Sequence, residues 1–215
     1  DYNQQTTKII VKTLGSGAKV SADIQKWVVN SYAQNEFNSD DAILITGLND
    51  TTTSKLVSIN APKKLRRSLG DNLDSNLNEV GINTVHSPII GWCYDGNPIY
   101  GPYGGSSAAN SINPRLMVSG YSLITKPNRP SLANFPNGFF VDDYEFTSSG
   151  DLDENNGRFC ITPEFPNGTY AYFAIKNDYP YVVKSFKNDP DQFNYDFTID
   201  QNADLLLGGE IFSNN

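Results

Sequence analysis

The chain is poor in the residues that most enzymes use for chemistry. It holds one histidine, His86, and two cysteines, Cys93 and Cys160, among 215 residues. A single histidine excludes a His-rich zinc or iron centre, and the absence of any Cys-x-x-Cys excludes a zinc knuckle. No Gly-x-Ser-x-Gly elbow accompanies His86, which sits in "TVHSPII" beside a proline. A hydrogen-bonded structural role is therefore expected of it before a catalytic one. P-loop and Gly-x-Gly-x-x-Gly signatures are also missing, so neither cofactor nor transition metal is expected. The two cysteines read as buried free thiols, with a disulfide left open.

Positive charge is scarce as well. Sixteen Lys and Arg stand against 24 Asp and Glu, a net charge of −8, which argues against nucleic-acid binding. The one basic run, "KKLRR" (Lys63–Arg67), is expected to be a solvated surface cluster. No apolar run approaches the roughly 18 residues of a spanning helix, so membrane insertion is not expected. The chain opens at Asp1 without a methionine, so a processed chain or a piece cut from a longer polypeptide is expected.

Abundance lies elsewhere. Aromatics make up 12%, charged residues only 19%, and there are 17 glycines and 12 prolines. This favours a mainly β protein, a compact antiparallel sandwich-like or barrel-like domain with many turns and at most one or two short helices. Strands are expected in "TTKIIVKTLG", "DDAILITGL", "SKLVSINAP", "RLMVSGYSLI" (with a bulge at Gly120), "GFFVDDYEF", "GRFCITPEF", "GTYAYFAI" and "YPYVVKSF". "ADIQKWVVNSYAQ" suits helix or strand, with a lean to strand, and "LRRSLGDNLDSNLNEVG" holds a short helix or loop. "PNG" marks tight turns at Pro136–Gly138 and Pro166–Gly168. The expected organisation is a β-rich segment or lead-in over 1–80, a central domain over 85–187 and an acidic segment over 188–215, with residues 68–84 the best boundary.

The densest stretch is "GWCYDGNPIYGPYGG", residues 91–105. Gly96, Gly101 and Gly104 permit positive φ or close backbone approach, while Pro98 and Pro102 stiffen the loop. Asp95 is expected to bond backbone amides within the turn, and Ile99, Tyr100 and Tyr103 to anchor it to a core. Gly101 precedes a proline, so it is extended or in a conformation reserved for glycine; the crowd of turn residues favours the second. Carboxylates also gather in "GDLDENNG", where Asp and Asn side chains bonding local backbone are expected before a calcium site at Asp151, Asp153 and Asn155. Tyr94, Tyr100, Tyr103, Tyr170 and Tyr172 either face a core, sending hydroxyls to turn backbones, or line a sugar or peptide groove; the first is preferred.

Four blocks occur in order along the chain: "DGNPIYGPYG" (Asp95–Gly104), "LDENNGRF" (Leu152–Phe159, with Asp153, Asn156 and Gly157), "GTYAYF" (Gly168–Phe173) and "YPYVV" (Tyr179–Val183). Together they resemble the YHYH-domain family over roughly residues 85–187. The name-giving Tyr-His-Tyr-His matches Tyr170-Ala171-Tyr172-Phe173, so both histidines are replaced and the tyrosines stay. Asn155 stands where many relatives have Cys. The fuller wording around "HSPIIGWCYDGNPIYGPYG" resembles the version found in structural proteins of tailed phages of marine cyanobacteria. The resemblance implies a non-enzymatic virion component, in tail, baseplate or fibre. Its expected partners are other virion proteins, further copies of itself and a host-surface glycan. A carbohydrate- or peptide-binding domain using exposed tyrosines is the alternative, and a hydrolase built on Asp95 and the carboxylates near Asp153 a weaker one.

Overall fold

The computed structural model describes residues 27, 30, 42–46, 54–58, 60–81, 84–127, 129–175 and 178–190; for 42–46 and 54–58 it describes backbone alone. The expectations over "TTKIIVKTLG" and most of "ADIQKWVVNSYAQ" lie outside these residues.

Among the described residues the chain is mainly β, with ten short strands, one α-helix of six residues and one 3-10 turn of three. Strands β1 (Ala42–Thr46) and β2 (Ser54–Ser58) form an antiparallel pair in unbroken register, as their β-branched residues and intervening "NDTTT" turn predict. Helix α1 (Lys63–Ser68) follows Pro62, whose fixed φ suits a helix start, and the chain turns away at Gly70, φ +81°. Arg66 and Arg67 occupy the last turn, where cations are favoured by the helix dipole.

The central sheet has the order β3 (Ile89–Trp92), β4 (Pro98–Tyr100), β10 (Thr169–Phe173), β9 (Gly157–Cys160). Its pairs are antiparallel except β4 with β10, which run parallel and set Tyr172 beside Ile99 and Phe173 beside Tyr100. Three of its four strands are motif blocks. Two small antiparallel pairs flank it: β5 (Tyr103–Gly104) with β6 (Arg115–Leu116), and β7 (Tyr121–Leu123) with β8 (Tyr144–Phe146). No sheet closes on itself among the described residues, so the barrel option falls and an open, sandwich-like arrangement fits.

Alternation along β10 divides the motif. Ala171 and Phe173 enter the main core with Tyr100, Met117, Leu152, Cys160 and Ile175. Tyr170 and Tyr172 project to the opposite face, because successive strand side chains alternate. A second cluster joins Trp27, Phe135, Phe139 and Phe140. Three strand expectations change. Of "GFFVDDYEF" only β8 is strand, because Val141–Asp143 close a 3-10 turn before it. "RLMVSGYSLI" is interrupted at 117–120 and gives β6 and β7 separately. "YPYVVKSF" is no strand: Tyr179–Pro180 is cis, Tyr181 has φ +67°, and the segment runs irregularly with Tyr179, Tyr181 and Val182 buried.

The basic run is also not uniformly solvated. Arg66 is 1% exposed, while Lys64, Leu65 and Arg67 face outward. Its Nε meets Asp71 at 2.6 Å, and its two terminal nitrogens take Glu79 at 2.7 and 3.0 Å. A buried guanidinium needs such pairing, and the planar fork supplies it.

Candidate functional site

The loop between β3 and β4 is built by local turn chemistry. Asp95 accepts from the Asn97 amide at 3.3 Å and from Asn97 Nδ2 at 2.9 Å, while Gly96 takes φ +83° between them. The turn aims the Asp95 carboxylate across the sheet, where it receives the Tyr172 hydroxyl at 2.6 Å. The backbone amides of Lys187 and Asn188 also donate to it, at 3.2 and 3.3 Å. Burial disfavours the charge of Asp95, but the bonds from Tyr172, Asn97 and Asn188 outweigh it and hold its pKa below the ordinary value.

A matching pair lies beside it. Asp153 caps its own turn by accepting from the Asn155 and Gly157 amides at 3.0 and 3.2 Å. Its two oxygens receive the Tyr170 hydroxyl, each at 2.9 Å. The Tyr170 and Tyr172 rings meet edge to face at 5.1 Å. Burial first, and the carboxylate partner second, push both phenols far above their usual pKa. They are donors, fixed in the neutral form. The site is thus two Tyr–Asp pairs side by side on one sheet face.

The remaining motif residues position these pairs. Asn156 is fully buried at φ +66°, and its Nδ2 donates to the carbonyls of Phe173 and Val182 at 2.8 and 3.1 Å. Gly157 lies under Tyr170, whose hydroxyl would sit 2.5 Å from a Cβ there. Gly104 likewise leaves room for Phe173 and Met117. Pro98, Tyr100, Pro102 and Tyr103 are buried. Tyr100 donates to Thr162 and Glu164, both at 2.8 Å, and burial, with Glu79 beside it, pushes the Tyr103 phenol up to about 12.

Gly101 departs from expectation. Its φ is not in the left-handed region; a Cβ would instead meet Asp71 Oδ2 at 2.7 Å and Ser87 Oγ at 2.8 Å. Glycine is required there by close approach. Ser87 Oγ donates to Asp71 and accepts from the Tyr103 amide at 3.0 Å, which ties the loop to the Arg66 cluster.

Most of the tyrosines weighed for a sugar or peptide groove are covered. Tyr100, Tyr103 and Tyr172 are buried, Tyr170 is half-buried, and of the five only Tyr94 is exposed. Their hydroxyls also bond carboxylates more than the turn backbones expected. The "GDLDENNG" carboxylates diverge: Asp151 is held bidentately by Arg115 at 2.7 and 2.6 Å, and Asp153 faces Tyr170. His86 packs edge-on against Tyr100 at 5.0 Å, with Nδ1 2.8 Å from the Ser87 carbonyl. Burial lowers its pKa from 6.5 against the pull of Ser87 and Glu164. Cys93 and Cys160 are free thiols, and burial raises the pKa of both, Cys93 to about 11. Sequence reasoning missed Lys187 and Asn188, which touch the site through their backbone amides and so leave no trace in residue type.

No curated protein and no solved structure matches the chain. The model of the YHYH protein family matches residues 61–188, a span holding all four motif blocks, the Arg66 cluster and both Tyr–Asp pairs. That match covers more than half of the chain, which therefore belongs to the YHYH protein family.

Proposed function

We propose that the chain is a non-enzymatic structural or attachment module of a tailed-phage particle, a component of tail, baseplate or fibre. The observation that carries the non-enzymatic part is the consumption of the motif's acids by its own tyrosines and amides. Asp95 takes one hydroxyl, one side-chain amide and three backbone amides. Such a carboxylate, held below its ordinary pKa, is a poor general acid, and its Oδ2 is already taken by four donors. Asp153 is similarly occupied. The phage context rests on the wording of the blocks around Asp95–Gly104. Mass spectrometry of purified particles, with immunogold labelling by an antibody to residues 61–188, tests it. The chain in stoichiometric amount on the particle is the expected result; its absence from particles and presence only in host lysate would overturn the reading.

A ligand-binding role is the second reading, and exposed aromatics favour it. Trp92, next to Phe165 at 6.4 Å, is 58% exposed, and Phe159 is 67% exposed. Flat, solvent-facing rings suit sugar faces. A glycan array separates the readings: binding lost on Trp92→Ala supports recognition, and silence across the array leaves assembly contact.

A further inference from the structure

Trp92 and Phe165 form an aromatic corner away from the two Tyr–Asp pairs. Trp92 ends β3, stands across from Pro98 of β4, and is 58% exposed. Pro98 and Tyr100 lie two apart on β4, so Trp92 shares the sheet face of Tyr100 and Phe173, opposite to Tyr170 and Tyr172. Phe165 comes from the loop between β9 and β10. Its ring meets Trp92 at 6.4 Å, with the two planes 79° apart. Two walls nearly at right angles therefore bound the corner.

A carboxylate is fixed beside it. Glu164, next to Phe165 in the chain, is exposed. Its Oε2 accepts from the hydroxyl of the fully buried Tyr100 at 2.8 Å. Pro163 and Pro166 flank the Glu164-Phe165 step and fix φ on either side. The Phe165 amide lies 3.2 Å from Thr162 Oγ1, and Thr162 and Phe165 exchange backbone bonds at 3.3 and 3.2 Å. Wall and charge are thus held in place before any ligand arrives, which lowers the ordering cost of binding.

We propose that the Trp92–Phe165 corner binds a small quaternary ammonium monocation of the choline type, with Glu164 as its counter-charge. A trimethylammonium group is compact and donates no hydrogen bond from nitrogen, and its charge is attracted to ring faces, most strongly to Trp. A sugar stacks on one flat platform, whereas these walls meet near a right angle. A lysine ammonium is strongly hydrated, and two aromatic walls would strip that shell without replacing it. The net charge of −8 favours a monocation over a zwitterion or an anion. Elsewhere the chain lays its own cations over ring faces: Arg129 on Phe140, Arg158 on Phe173, Lys184 on Tyr121 and Lys187 on Tyr170. Among the described residues none lies over Trp92 or Phe165, which leaves this corner to a cation from outside.

The test titrates choline into the full-length chain, beside dimethylbutanol, the uncharged isostere with carbon in place of nitrogen, and methyl glucoside. An upfield shift of the choline N-methyl proton signal reports seating against ring faces. A Kd of about 1–10 mM is expected for a ligand of this size, and the isostere should bind about tenfold more weakly. Trp92→Ala, a surface change whose fold a thermal melt checks, should abolish the shift. Glu164→Gln should weaken choline about two- to fivefold and leave the isostere unchanged, which separates lost charge from lost shape. The proposal is overturned by no shift with choline at about 50 mM, by an isostere that binds as tightly as choline, or by a choline shift that survives Trp92→Ala. Methyl glucoside binding at Trp92 in place of choline would overturn it in favour of a sugar site.

Discussion

The Tyr172 hydroxyl donates to Asp95 over 2.6 Å, joining residues 77 positions apart in sequence. The ring is fully buried while its oxygen also accepts from the Lys187 amide at 2.6 Å. Tyr172→Phe keeps the ring and removes both bonds. A hydrogen bond to a charged group contributes about 1.5–3 kcal/mol, so a loss in that range is expected in urea melts. Asp95→Ala should cost at least as much, since it strands Asn97 and the two amides as well. Under a hydrolase reading, Asp95→Ala would abolish an activity and leave the melt unchanged.

Gly96 and Gly101 are glycines for different reasons, and substitution separates them. Gly96 has φ +83° and open space around its Cα. Asn, which tolerates the left-handed region, should be nearly neutral at 96, and Ala should cost about 1–2 kcal/mol. Gly101 has no such φ, but a Cβ would press on Asp71 and Ser87. Ala and Asn should both be harmful at 101, by about 1–3 kcal/mol through overpacking. Thermal melts of the four variants check the pattern; an Asn rescue at 101 would contradict it.

Arg66 is buried between Asp71 and Glu79. Arg66→Ala leaves two carboxylates without their cation and should destabilise by about 3–5 kcal/mol. Arg67→Ala, one residue away and exposed, should change stability by less than about 0.5 kcal/mol. Similar losses at both positions would mean that the basic run acts as a surface cluster after all.

Local chemistry was legible in the sequence, and long-range pairing was not. The Asp-Gly-Asn turn at 95–97 and the capping role of Asp153 follow from residues two to four apart, so composition reveals them. Their tyrosine partners, and the Lys187 and Asn188 amides, depend on which strands meet, which no short pattern encodes. The β1–β2 hairpin was readable from its turn and β-branched runs. "YPYVV" misled because its apolar residues are buried by an irregular segment, where Pro180 offers no amide for a ladder. Arg66 was hidden in a basic run, although Asp71 and Glu79 downstream were a usable signal for its burial.

Acid should weaken the fold in two separate windows. Burial lowers the pKa of His86 below 6.5, so the unfolded chain binds that proton first as pH falls. The resulting stability is present above 6.5 and is lost as pH drops toward the folded-state value. Asp95, with its pKa below 3.8, repeats the logic lower down: its contribution holds above 3.8 and fades as the folded carboxylate is protonated. Urea melts of wild type and His86→Gln from about pH 7.5 to about pH 5 isolate the first window, because all other groups cancel in the difference. Wild type should lose stability relative to the variant as pH falls, with the steepest change just below 6.5. Asp95→Asn should flatten the second window in the same way, below 3.8. A wild type that gains stability relative to His86→Gln on acidification would require a charged histidine with a favourable partner, against the aromatic packing with Tyr100 and Phe173.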